Sequence, residues 1–557
     1  MTEENNTEDL NNEFFHFPIR TDAVLLHLRQ DMRDDWFIDS LNYEDLLSRK
    51  QPLLDKIEVK IDEGNGSYTP SDRFIYDVPK SNLGLRYSLE TDFYDRFLYQ
   101  AICSFLLPYY DPLISNRVFS HRYNANRSKE KYIFKNRIEL WNTFEGITKL
   151  GITDDNFLLV TDLLNYFEHI SIKNIEHAFI NLLPKVKAPG KIKTKIRSAI
   201  YTLCRLLHKW CFNDLHGLPQ NRDASSFIAN IVLTSVDQAM IDRKYDYFRY
   251  VDDIRIICKN RFRAKKALND LIFELRKIGM NINSKKTNIY SKDSSEKDID
   301  DLFPGSDEQS ITIDNMWKSK SKGVIIRSIP ELTSMLKELV INHETQSRRF
   351  RFCINRIKTL VTAELFKTNS LISNDIIKTL IEALYDQPAS SDQFCRLLLD
   401  LDLQDEHLSQ IENFITDEEY CIYDWQNYHI WMMLSYKKLH RPKLIERAKY
   451  LCLETPTRPE VAFCLIYLAT HDEFPFLESL HDKIESNWPF QIQRHYLIAI
   501  KSRPINKSPI LVNKISPMVK GTINGINSKK YLRDEFIYIK NDSLSFSEIY
   551  NELSPYD

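Results

Sequence analysis

Two adjacent aspartates, Asp252 and Asp253, are flanked on both sides by apolar residues: positions 248–257 read FRYVDDIRII. This pattern predicts a β-hairpin over 247–258 with the two carboxylates at its tight turn. Phosphoryl transfer from a nucleotide needs such a device. Two magnesium ions roughly 4 Å apart activate a hydroxyl and stabilise the leaving pyrophosphate. Magnesium takes hard oxygen ligands, commonly one or two carboxylates together with phosphates and water. Two aspartates on one turn do not complete such a site, so a third carboxylate from another strand is expected. Asp162 is the candidate, because it ends the apolar run 157–161 (FLLVT) and opens the string DLLNYFEHI. Asp154-Asp155 and Asp300-Asp301 do not have apolar strands entering from both sides and read as solvated turns.

Further strings fall in order around these aspartates. Arg86 and Asp95-Arg96 lie upstream. Gly217-Leu218-Pro219-Gln220, Ser225 and Ala229-Asn230 lie between Asp162 and the hairpin. Asn283-Ser284-Lys285-Lys286-Thr287 follows a helix that Gly279 ends. Tyr250-Val251-Asp252-Asp253 resembles the Tyr-x-Asp-Asp box of reverse transcriptases. The ordered set, over roughly 55–290, resembles that family's fingers and palm. The resemblance implies an α+β fold, with reverse-transcriptase-like fingers and palm followed by an all-α helical repeat domain. It implies a nucleotidyltransferase that uses two Mg2+ ions, with Mn2+ as a possible substitute, and takes dNTPs.

By the same resemblance, Asp162, Asp252 and Asp253 are the catalytic and metal-binding residues, Asp253 assisting or binding the primer terminus. Phe167 lies beneath the sugar and disfavours a 2′ hydroxyl, and Gln220 touches the nucleotide. Arg86, with Lys80 as second choice, neutralises triphosphate charge, as suits an arginine fork. Lys286 acts near the leaving group or is a plain solvated lysine. The family usually has glycine where Asn221 stands, and Asn tolerates the positive φ such a position needs.

No endonuclease, RNase H-like or maturase-like pattern is present. The chain therefore resembles stand-alone bacterial enzymes of phage defence, specifically the abortive-infection type with a HEAT-like repeat domain. Such enzymes can make DNA without a template, sometimes from a protein tyrosine, and assemble as homo-oligomers. A templated enzyme copying a dedicated RNA, and a polymerase-like scaffold without activity, are the alternative readings.

The expected domains are 1–325 and 326–557. Residues 20–55 read as helix. Ile57, Val59 and Ile61, then Gly64-Asn65-Gly66, then Phe74-Ile75-Tyr76, read as a hairpin. From about 330 one helical pattern follows another with short polar joints. Residues 1–15 and the tail after 540 are polar and read as disordered. With only 12 glycines in 557 residues the chain is far below the usual share of about 7%. That suits a helix-rich protein and excludes a Gly-rich nucleotide loop.

A net charge of −3 announces no nucleic-acid partner, but the basic residues cluster. Lys191, Lys193 and Lys195 belong to an acid-free stretch over 181–213. Arg348, Arg349 and Arg351 alternate with Phe350 and Phe352. Both suit a phosphate backbone with bases stacked on rings, and the alternative for both is a solvated helix face. Single-stranded DNA product and RNA are the expected polymers. Nine widely spaced cysteines without a CxxC read as small core residues in a reducing compartment. The sequence reads as having no apolar run of membrane-spanning length and no targeting segment, so a cytoplasmic protein without a membrane partner is expected.

Overall fold

The computed structural model describes residues 17–63, 67–81, 83–126, 132–153, 155–295, 298–299, 302–303 and 307–538. The chain forms two compact units. The first comprises 1–35, 47–74 and 89–299, and the second comprises 36–46, 75–88 and 300–557. The chain thus passes into the second unit twice before its C-terminal half begins.

In the first unit the strands β3 (Phe157–Asp162), β4 (Asp246–Tyr250), β5 (Asp253–Cys258) and β6 (Asn288–Tyr290) form an antiparallel sheet in the order β4-β5-β3-β6. Strand β3 is central and buried along Leu158–Thr161, which explains its unbroken apolar run. The helices Asp223–Asp242 and Arg261–Lys277 pack on this sheet and on each other. Gly279, at φ +73°, follows the second of these helices in the left-handed conformation that favours glycine. The helix Ile172–Leu182 starts at Ser171, whose side chain accepts the Asn174 N–H at 3.1 Å.

Among the described residues, Asp223–Asp242 is long and apolar enough to cross a membrane, a length the sequence reading passed over. Ile228, Ile231, Leu233 and Met240 bury its apolar surface inside the unit.

Two expectations fail in the N-terminal region. Residues 57–61 are helical, inside Lys50–Glu63. Leu53, Leu54, Ile57 and Ile61 are buried, the three- and four-residue spacing of one helix face, while Val59 is exposed. The hairpin comes later: β1 (Phe74–Pro79) pairs with β2 (Leu85–Glu90). The 20–55 helix is also interrupted, as Thr21–Asp31, Glu44–Leu47 and the start of Lys50–Glu63. Gly64-Asn65-Gly66, Asp154, Asp300-Asp301, residues 1–15 and the tail after 540 lie outside the described residues.

The C-terminal part of the second unit is helical from Glu308 onward. The helices Ile329–Ile341, Leu371–Asp386, Asp405–Thr416 and Pro442–Glu454 pack one on the next as a file. Arg348–Thr362, Ser391–Leu398, Asp424–Lys437, Val461–Thr470, Phe490–Ala499 and Thr522–Asn527 make a second file. Alternate helices therefore stack in two layers, as in helical-repeat architectures. Segment 36–46 is locked onto this stack by Arg494, fully buried and ion-paired to Asp39 at 2.7 Å and to Asp45 at 2.6 Å. All nine cysteines are buried and unbridged.

Candidate active site

Strand register brings the acidic residues together. Asp162, last residue of β3, faces Asp253, first residue of β5, and Asp253 pairs with Tyr250 across the hairpin. Val251 and Asp252 are the two turn residues. Val251 has φ +54°, a conformation a β-branched residue adopts only under constraint, at a cost of about 1–3 kcal/mol.

A closed circuit of hydrogen bonds supplies that constraint. Arg249 Nη1 donates to the Val251 carbonyl at 2.9 Å and to Asn230 Oδ1 at 2.8 Å. Asn230 Nδ2 donates to the Ser120 carbonyl at 2.9 Å, and the Val251 N–H donates to Ser120 Oγ at 2.9 Å. Asn230 of the Ala229-Asn230 string is thus a support of the turn.

Burial and the neighbouring Asp162 push the Asp252 carboxyl up to about 8. Two carboxylates held this close resist joint ionisation until a cation joins them. Lys286 supplies one positive charge, with Nζ 2.6 Å from Asp162 Oδ2. Its segment is tied to β3 by the Asn283 N–H, which donates to the Asp162 carbonyl at 2.7 Å, and by Thr287 Oγ1, 2.8 Å from Thr161 Oγ1. Asp253 lies beside Arg255, Oδ1 to Nε 3.5 Å. Arg255 is buried over the Phe144 ring at 4.8 Å and donates to Thr148 Oγ1 at 3.0 Å. The oxygen-only donor set of Asp162 and Asp252, short of positive charge, fits magnesium or manganese.

The nucleotide-side residues also gather. Leu218 N–H donates to the Phe167 carbonyl at 3.0 Å, and Gln220 Nε2 lies 3.5 Å from Glu168 Oε1. Phe167, in the short helix Tyr166–His169, and Gln220, just before the helix Asp223–Asp242, thus lie on two segments joined by these contacts, both half-buried. Asn221 takes φ +55° and donates to the Asp34 carbonyl at 2.6 Å, the conformation expected where the family has glycine.

The other candidates distribute differently. Arg86 is exposed on β2, in the second unit. Asp95 and Arg96 are buried, Asp95 with Lys60 at 2.5 Å and Arg96 with Asp31 at 2.9 Å and with Asp35. Both charges of the Asp95-Arg96 string are thus paired inside the first unit. Lys191 is exposed, Lys193 and Lys195 half-buried, on the helix Gly190–Trp210. Arg351 is exposed, while Arg348 and Arg349 are half-buried and Arg349 Nε lies 3.5 Å from Asp307. Phe350 and Phe352 are buried in the helical core, where neither ring can stack on a base.

Sequence reasoning missed Arg249, Asp237 and Arg255. Their signal was available: a charged residue inside an apolar strand or helix is rarely buried unless paired.

A hairpin that carries an aspartate pair beside a third strand-borne aspartate, on an antiparallel sheet backed by helices, defines the palm of a polymerase-type nucleotidyltransferase. Residues 119–324 match the reverse transcriptase (RNA-dependent DNA polymerase) family. The chain accordingly carries an RNA-directed DNA polymerase-like enzyme domain. No curated protein matches the full sequence. Among solved structures, telomerase from Candida albicans in complex with a fragment of telomeric RNA aligns at 12% identity and TM-score 0.30, covering 67% of this chain and 68% of that one. Apo telomerase from Candida tropicalis aligns at 12% identity and TM-score 0.31, covering 71% and 76%.

Proposed function

We propose that the chain synthesises DNA from deoxynucleoside triphosphates, with Asp162 and Asp252 as ligands of two magnesium ions. The observation that carries this is the carboxylate pair at the braced turn, where burial and the adjacent Asp162 push the Asp252 carboxyl up to about 8. Bound there, the ions supply Lewis-acid stabilisation of charge on the reacting phosphate. The chain's own part is to fix the two carboxylates, to hold Lys286 against Asp162, and to keep the segments of Phe167 and Gln220 together for the sugar and base. Asp253, beside Arg255, assists from the adjoining position.

The proposed setting is bacterial antiphage defence of the abortive-infection type. The two-layered helices of the second unit support it, as a HEAT-like repeat serving the product strand. Template-free, protein-primed synthesis by a cytoplasmic homo-oligomer completes this reading. The family's RNA-dependent activity favours a second one, templated copying of a dedicated RNA.

The test is to purify the full chain, sequence any bound nucleic acid and follow incorporation of labelled dNTPs. Asp162→Asn and Asp252→Asn should each abolish incorporation while leaving the protein folded. Normal synthesis by either folded variant overturns the assignment. DNA made with no added template supports the first reading, and a co-purifying structured RNA required for activity supports the second.

A further inference from the structure

Away from the palm turn, a second group of ligating side chains converges in the first unit. His27 and Asp31 are four residues apart on the helix Thr21–Asp31, so both stand on one face. Asp223 is the first residue of the helix Asp223–Asp242. Among the described residues, one ligand atom from each of His27, Asp31 and Asp223 falls within 4.8 Å of the others. His121 holds the opposite side of Asp223, Nε2 to Oδ1 3.1 Å, while His27 Nε2 lies 3.2 Å from Oδ2.

Three features separate this group from an ordinary ion-pair network. First, His27 is 2% exposed; its Nε2 meets Asp223 as an ion-pair contact outside hydrogen-bond geometry, and its Nδ1 has no hydrogen-bond partner among the described residues. A buried imidazole held this loosely leaves ligating capacity that the surrounding protein does not use. Second, the charges do not balance. Asp31, Asp35, Glu90 and Asp223 face Arg96 and Arg222, the pairs running Arg96 to Asp31 and Asp35, and Arg222 to Asp35 and Glu90. With the two imidazoles on Asp223, His27 and His121, neutral, four carboxylates against two guanidinium groups leave two negative charges, the deficit one dication fills. Third, the carboxylates are already oriented from outside the cluster. Arg96 holds Asp31 Oδ2 at 2.9 Å, the Asp223 N–H holds Asp31 Oδ1 at 3.1 Å, and His121 holds Asp223. Such outer partners orient metal ligands and tune their basicity.

We infer that His27, Asp31 and Asp223 form a site for a divalent transition metal, with zinc the ion of choice. Imidazole with carboxylate oxygens suits zinc, whereas the oxygen-only palm site suits magnesium. Ligand atoms on bonds of about 2.1 Å around a tetrahedral ion lie about 3.4 Å apart. The ion joins the N-terminal helix to the start of the helix carrying Ser225 and Asn230, and so stiffens the loop that ends at Arg222. Its role is structural, so the palm chemistry does not depend on its identity.

The experiment uses the purified full chain, stripped with chelator and titrated with zinc in excess magnesium, so that the palm is saturated. Metal content, the absorption of a cobalt-substituted sample and the melting temperature are read. The expected result is one tightly held zinc per chain, a rise in melting temperature on loading, and visible d–d bands with cobalt. His27→Gln and Asp31→Asn should lower zinc affinity at least 100-fold, while Asp252→Asn should keep the zinc. A parent protein that holds no zinc and melts at the same temperature with or without chelator overturns the site. So does full zinc retention by His27→Gln. Should His27→Gln fail to fold, Asp31→Asn and the cobalt spectrum of the parent decide on the same criteria.

Discussion

Arg249 and Asp237 form a fully buried, two-pronged ion pair: Nε donates to Oδ1 at 2.8 Å and Nη2 to Oδ2 at 2.7 Å. The remaining nitrogen, Nη1, reaches the Val251 carbonyl inside the aspartate turn. Asp237 thus aims the arginine, and the arginine braces a strained turn. Removing one partner of a buried pair leaves the other charge uncompensated, at a cost of about 3–5 kcal/mol. Arg249→Met should therefore destabilise the protein by that amount in denaturant unfolding and cut incorporation strongly. The double variant Arg249→Met/Asp237→Leu removes both charges and should recover part of the stability. Recovery stays partial because Tyr247 and Asn230 lose their partners. Incorporation should not recover with it, because Val251 still lacks its donor. Parent-like synthesis by the double variant would reduce the pair to a stability element.

The chemistry-bearing motifs were legible because each combines a residue type with a local period. The hairpin over 247–258 and the strand ending at Asp162 depend on neighbours within a few residues. Asn221 could be read as a left-handed position because so few residue types tolerate it. Pairings across long separations left no such local trace. Arg249 with Asp237, Arg494 with Asp39 and Arg96 with Asp31 are decided by packing, so the sequence shows only that each charge is present. The 57–61 segment misled for a related reason. Ile57 and Ile61 fit both a period of two and a helical i, i+4 spacing, and burial of Leu53 and Leu54 decides for the helix. The arginine-rich stretch misled because Phe350 and Phe352 serve the core.

Glu460 gives the helical unit a pH dependence of predictable sign. It is almost completely buried at the start of the helix Val461–Thr470, and burial pushes its carboxyl up to about 7 despite Arg458 nearby. The unfolded chain releases this proton near the ordinary glutamate value of 4.5, while the folded protein keeps it until about 7. Between these values the folded state binds more protons, so its stability falls as pH rises. The total is on the order of 3 kcal/mol, at about 1.4 kcal/mol per pH unit. Glu460→Gln should flatten this part of the stability profile, measured by thermal unfolding from pH 4.5 to 8. An unchanged profile would remove Glu460 as its source.

Tyr166 and Phe167 are adjacent rings with different surroundings. Tyr166 is buried, and among the described residues its hydroxyl has no hydrogen-bond partner. Phe167 is half-buried on the loop side, its carbonyl bound to Leu218. Sugar discrimination is therefore expected of Phe167. Phe167→Ala should raise ribonucleotide use relative to deoxynucleotide use in competition assays, because it leaves space for a 2′ hydroxyl. Tyr166→Phe should leave that ratio alone and stabilise the protein by about 1 kcal/mol or more, since an unpaired buried hydroxyl costs about 1–3 kcal/mol. A changed ratio in Tyr166→Phe with none in Phe167→Ala would exchange the two assignments.

The two basic stretches are expected to differ in what they do for a bound strand. Lys191 is exposed, and Lys193 already spends a hydrogen bond on the Pro184 carbonyl at 3.0 Å. In the helical unit Arg351 is exposed, whereas Arg349 is committed to Asp307 and Gln309. With Phe350 and Phe352 in the core, this stretch has charge to offer but no stacking surface. Its contribution should therefore be electrostatic and independent of base identity. Each phosphate neutralised by a protein charge releases counterions, and log affinity falls against log salt by about 0.7 per contact for a single strand. Replacing Arg348, Arg349 and Arg351 by glutamine should weaken single-stranded DNA binding and make that salt slope shallower by about one to two units. Products should shorten while addition of the first nucleotide survives, because the palm residues are untouched. The corresponding glutamine variant of Lys191, Lys193 and Lys195 separates a path along the first unit from one along the second. If that variant alone loses affinity and the arginine variant matches the parent in affinity, slope and product length, the arginines serve only to solvate their helix.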